Sequence, residues 1–137
     1  MRKRLALATA ALAMLTTPVL ADEPVELTDG EAKLADMLEG RIAGEPQNCI
    51  RTIGSRAFTR IDDTALVYES GDTLWVNYTR NPESIDDDDV MVIDKFTATR
   101  LCRTDQITLR DRLSGFFSGV LFLGDFVPYT TPDADSL

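Results

Sequence analysis

Between residues 28 and 46 apolar side chains return every three to four positions, at Leu34, Leu38 and Ile42 with Met37 beside them, while Glu31, Lys33, Asp36 and Glu39 take the other side. That spacing is the stripe of an amphipathic helix. Thr28-Asp29-Gly30-Glu31 forms a capping box at its start, because the Thr hydroxyl and the Glu carboxylate accept from N–H groups that the first turn leaves over. Gly40, Gly44 and Pro46 supply the stop signals, so the pattern predicts one helix over about residues 29–42.

After Pro46 the period changes to two, and short runs rich in β-branched and aromatic residues alternate with turn residues. The strands expected from this are 49–53, 57–61, 65–69, 74–79, 90–94, 97–102, 106–110, 116–122 and 126–129. Asp62-Asp63, Gly71-Asp72, Arg103-Thr104-Asp105 and Ser114-Gly115 read as hairpin turns. Ile107 and Leu109 alternate with Thr108 and Arg110, as a half-exposed antiparallel strand requires. Val90-Met91-Val92-Ile93 has no polar side, which calls for cover on both faces, with the helix as the available cover. Gly119 inside an apolar run marks a bulge or a sharp bend. The expected architecture is mainly β, of α+β type: a small antiparallel barrel or strongly bent sheet of about seven to nine short strands, with one N-terminal capping helix.

The start of the chain follows neither period. Arg2, Lys3 and Arg4 precede an apolar run over residues 5–15, and Val19-Leu20-Ala21 ends in the small residue that a signal peptidase accepts. A spanning helix needs about 20 apolar residues, and Thr16, Thr17 and Pro18 interrupt this run first. The expectation is a signal peptide over 1–21, one globular domain over 22–129 that is β-rich from 48 to 129, and a flexible polar tail over 130–137. The processed chain is expected in the periplasm, with no membrane insertion.

Export changes the meaning of Cys49 and Cys102. In an oxidising compartment two cysteines most simply join each other, which leaves neither sulfur as a nucleophile or ligand. Closing the loop between them removes roughly 4 kcal/mol of chain entropy from the unfolded state. The 137 residues include no His, which excludes imidazole general bases, Ser-His-Asp triads and His-ligated zinc. The formal charge of −9 becomes −12 when the three basic leader residues are removed, a balance that repels nucleic-acid phosphates and favours basic partners.

Three groups of residues carry candidate chemistry. Glu83, Asp86, Asp87, Asp88 and Asp89 place five carboxylates within seven residues, enough oxygens to interest calcium, although the spacing is not that of an EF-hand. Neighbouring Asp residues on an extended segment point in opposite directions, which favours a solvated loop over a single-ion site. Trp75, Tyr78 and Phe116 offer aromatic rings for a binding surface, against the alternative of core and cross-strand packing. Ser114 and Ser118 lack the Gly-x-Ser-x-Gly elbow and any His to activate them. Asp62-Asp63-Thr64 lacks the Gly of an aspartic-protease turn.

Four stretches, Gly40-Arg41-Ile42-Ala43-Gly44-Glu45-Pro46-Gln47-Asn48-Cys49, Leu74-Trp75-Val76-Asn77, Leu101-Cys102-Arg103-Thr104-Asp105 and Leu123-Gly124-Asp125-Phe126-Val127-Pro128-Tyr129, together resemble a family of small uncharacterised secreted proteins of proteobacteria. The resemblance spans about residues 27–129 and departs from the family at Thr104, where relatives often carry Gly. It implies a periplasmic location and one compact domain, and it brings no activity to any residue. The resulting expectation is a monomeric, non-catalytic binding or accessory domain without a cofactor, engaging a basic protein or peptide. The alternative is an envelope protein stabilised by calcium at the acidic run, and a carboxylate-based hydrolase ranks below both.

Overall fold

In the computed structural model the capping box forms as its residues require. Thr28 Oγ1 accepts from the Glu31 N–H at 3.2 Å, and Glu31 Oε2 accepts from the Thr28 N–H at 2.8 Å. The structure describes residues 24–52 and 58–133. The expected leader, 1–21, and the end of the expected tail, 134–137, lie outside the described residues, as do residues 53–57, which include the end of one expected strand and the start of the next.

Helix α1 (Asp29–Met37) stops earlier than the stripe predicted. Leu38 is its C-cap, and Gly40 follows at φ +71°, a left-handed conformation that glycine adopts without a steric penalty. Ile42 therefore leaves the helical face. It enters strand β1 (Ile42–Ala43), pairs with Thr130 and is 59% exposed.

Nine further strands follow: β2 (Cys49–Arg51), β3 (Thr59–Ile61), β4 (Ala65–Ser70), β5 (Thr73–Asn77), β6 (Asp89–Asp94), β7 (Arg100–Cys102), β8 (Gln106–Asp111), β9 (Phe117–Phe122) and β10 (Phe126–Thr130). Each overlaps one of the nine expected runs. Thr130, expected to begin the tail, closes β10 instead, because β1 offers it a backbone partner. All pairings between these strands are antiparallel, in three sheets ordered β1-β10-β5-β4-β3, β2-β7 and β6-β8-β9. Among the described residues no sheet closes on itself, so the fold is mainly β without a closed barrel.

Two turn assignments separate here. Gly71-Asp72 joins the paired residues Ser70 and Thr73, with Gly71 at φ +60°, and Asp62-Asp63-Thr64 joins the pair Ile61 and Ala65. Arg103-Thr104-Asp105 is not a hairpin: it passes the chain from β7 to β8, strands of different sheets. Its geometry is set by Asp105, only 3% exposed, whose carboxylate accepts from the Cys102 N–H at 2.7 Å and the Phe96 N–H at 3.3 Å. Cys49 and Cys102 stand directly opposite each other in β2 and β7 and are joined by a disulfide.

The five-stranded sheet carries apolar side chains on both faces. On one, α1 lays Leu34 over Ile61, Ala65, Val67, Leu74 and Val76. On the other, Leu66 and Tyr68 meet the larger cluster of Ile50, Ile85, Leu101, Ile107, Leu109, Leu121, Leu123 and Phe126. The strand buried on both faces is thus β4, with four successive buried residues, and not the run Val90-Met91-Val92-Ile93. Strand β6 is an edge strand: Met91 and Ile93 pack inward, whereas Val90 and Val92 remain 44% and 38% exposed. The predicted irregularity at Gly119 is a bulge. Leu109 opposes Gly119 but Arg110 opposes Phe117, leaving Ser118 as the extra residue.

Candidate functional site

Two carboxylates of the acidic run, Asp86 and Asp89, are held by the fold, and Asp87 stands beside a guanidinium. Asp86 Oδ1 accepts from the N–H groups of Asp88 and Asp89 at 3.0 and 3.1 Å. Arg60 donates to the Asp89 carbonyl at 2.5 Å and stands 3.8 Å from the Asp87 carboxylate. Arg112 donates to the carbonyls of Asp87 and Asp88, at 2.8 and 3.1 Å. Asp89, 8% exposed, accepts the Ser118 hydroxyl at 2.8 Å, the side chain that the bulge sets out of register. Glu83 sits apart, in a single 3-10 turn (Pro82–Ser84). Among the described residues no three acidic or Cys side chains converge to hold a metal ion.

The aromatic residues are not brought together. Trp75 packs with the larger core cluster, whereas Tyr78 faces α1 from the opposite side of the same sheet. Phe116, 75% exposed, lies at the β8–β9 turn. Neither serine is placed for nucleophilic work. Ser114 donates to Asp111 at 2.6 Å within its own turn, and the hydroxyl and N–H of Ser114, with the Leu113 N–H, hold the Asp111 carboxyl below the usual carboxylate range. A carboxylate so stabilised is a poor proton acceptor.

The feature best shaped to bind something is a groove that no local motif announces. The first turn of α1 docks against the β3–β4 loop at Gly30, where an added Cβ would run into Thr64 Oγ1 and stand 2.5 Å from the Asp62 carbonyl. Between helix and loop a groove of ≈ 850 Å³ opens, with Leu38, Tyr78 and Pro82 among its walls and Asp29, Glu31, Asp62 and Asp63 around it. Glu31 is committed to the capping box. Asp29, Asp62 and Asp63 are exposed, and their carboxylates have no hydrogen-bond or ion-pair partner among the described residues. Asp63 is held by its own backbone: φ is +53°, and its N–H donates to the Ile85 carbonyl at 3.1 Å.

The Tyr78 hydroxyl lies 3.4 Å from that of Tyr129. Partial burial, reinforced by this hydrogen bond and by the neighbouring phenol, pushes Tyr78 up to about 12. It is therefore a neutral hydroxyl at physiological pH. The positive end of the α1 dipole faces the same region and is countered by Asp29 and Glu31 in the first turn. The groove thus presents negative charge over an apolar floor, the chemistry that accepts a Lys or Arg side chain by its head and its aliphatic stem together.

Sequence reasoning read the two halves of this site as a cap and a turn, each correctly. What it missed is their adjacency, for which the one local signal is a glycine, Gly30, inside the capping box. No protein-family model, curated protein or solved structure matches the chain. Among the described residues no helix is long and apolar enough to cross a membrane.

Proposed function

We propose that the chain is an exported, non-catalytic accessory domain of the periplasm, acting as a monomer, whose acidic groove engages a basic protein or peptide. One observation carries the reading: three exposed carboxylates with no partner among the described residues surround a cavity that also has apolar walls. Free carboxylates on a rim attract cations at long range, and apolar surface beneath them rewards a ligand that carries methylene groups. The net charge of the processed chain, −12, adds steering toward the same class of partner. The disulfide fits an oxidising compartment. The resemblance to small secreted proteobacterial proteins belongs to the same reading.

A deca-lysine peptide is a suitable probe of the processed chain. Its binding should weaken steeply between about 20 mM and about 500 mM salt, because the attraction lies between exposed charges. Binding that ignores salt, or no binding at the lower salt, contradicts the proposal. Protein recovered from the periplasm should begin at Asp22, and an intact Met1 on the recovered protein would contradict export with cleavage.

A further inference from the structure

The two outer edges of the β6-β8-β9 sheet are treated differently. Along β9 the outward groups are occupied: Asn81 donates to the Val120 carbonyl at 2.8 Å and accepts from the Phe122 N–H at 3.0 Å, while the Arg80 N–H donates to the Phe122 carbonyl at 2.8 Å. One asparagine side chain thereby closes the edge as a neighbouring strand would. Along β6 the Arg112 N–H bonds the Asp88 carbonyl, which fixes the parity of the ladder. Val90, Val92 and Asp94 then bond across to β8, and the N–H and C=O groups of Asp89, Met91 and Ile93 point away from it. The Asp86 carboxylate and Arg60 satisfy Asp89. No backbone partner is described for the outward groups of Met91 and Ile93.

This open stretch is not a flat surface. It borders a groove of ≈ 330 Å³ lined by Phe58 and Arg60 and by Asp89, Val90, Met91 and Ile93 of β6, with Arg112 beside them. We propose that this edge takes an extended peptide of another protein, added to β6 as a further strand. Four outward backbone groups in alternating donor and acceptor order are matched by one extended chain. Phe58, Met91 and Ile93 supply apolar contact for alternate side chains. At the Asp89 end, Arg60 and Arg112 are already bonded to the carbonyls of Asp89 and Asp87 and stand among the carboxylates of the acidic run, so recognition there rests on the backbone groups and the apolar contacts. Phe58 and Arg60 line the same groove and give an added chain a second wall. The inference does not depend on the acidic groove.

The test uses a seven-residue peptide of alternating Val and Thr, with amide hydrogen exchange read residue by residue in the processed chain. In the free protein the Met91 and Ile93 amides should exchange far faster than those of Val90 and Val92. Saturating peptide should slow both by at least about tenfold. N-methylation of the peptide on the alternate residues that face β6 should abolish this protection, and methylation of the other residues should not. Met91→Pro removes an outward donor, along with Met91's packing against the core, and should weaken peptide binding about tenfold. Slow exchange of Met91 and Ile93 in the free protein would overturn the inference, as would protection that rises with protein concentration and so marks a second copy. Equal binding of both methylated peptides would overturn it independently of whether the proline variant folds.

Discussion

The molecule holds two acidic regions, and the one that is dense in sequence is the one whose carboxylates are partly held by the fold. In the run 83–89, Asp86 terminates backbone N–H groups, Asp87 stands beside a guanidinium and Asp89 is buried against a serine hydroxyl. In the groove, Asp29, Asp62 and Asp63 come from segments more than thirty positions apart and have no side-chain partners among the described residues. Local density of carboxylates raises the electrostatic cost of the folded state, and here the fold gives donors to Asp86 and Asp89 of the run. Carboxylates assembled by tertiary contact, one or two from each element, remain free to meet a ligand.

The largest effect that separates the two regions should come from Gly30→Val. Its side chain would collide with Thr64 and the Asp62 carbonyl, lifting α1 from the β3–β4 loop. Thermal unfolding should show a loss of about 2 kcal/mol, a Tm lower by roughly 10 °C, and binding of a basic peptide should vanish. Next comes Asp89→Ala, which removes the acceptor of Ser118 and should cost about 1–2 kcal/mol in chemical denaturation while leaving basic-peptide affinity unchanged. The smallest effect concerns Asp111, a second internally committed carboxylate. Its pKa is lowered in the fold, so its stabilisation is present above the ordinary value of 3.8 and is lost as pH falls through the lowered one. Asp111→Asn should therefore be less stable than the parent at neutral pH, and the two unfolding curves should converge in strong acid.

The difference between local and tertiary information also explains what could be read from the residues alone. The strand 65–69, the alternation in 106–110, the turns at Gly71 and Gly115 and the Thr28–Glu31 cap are decided within a few positions, and each appears where the pattern put it. The end of α1 was misplaced because Leu34, Leu38 and Ile42 continue the stripe past Gly40, whose left-handed backbone outweighs the periodicity. Val90-Met91-Val92-Ile93 and Ala65-Leu66-Val67-Tyr68 are both continuous apolar runs. Only strand order decides that the second lies between two layers and the first at an edge. The role of Asp105 follows the same rule: it was read as a turn residue, yet its carboxylate is buried because β7 and β8 belong to different sheets.

The central claim is that position, not acidity, makes the groove a site. Titration calorimetry with a deca-lysine peptide should compare two variants of equal charge change, Asp29→Asn/Asp62→Asn/Asp63→Asn in the groove and Glu83→Gln/Asp87→Asn/Asp88→Asn in the run. The account predicts that the first weakens binding by about tenfold or more and the second by no more than about twofold. Equal losses in the two variants would contradict it, since the peptide would then be reading net charge alone.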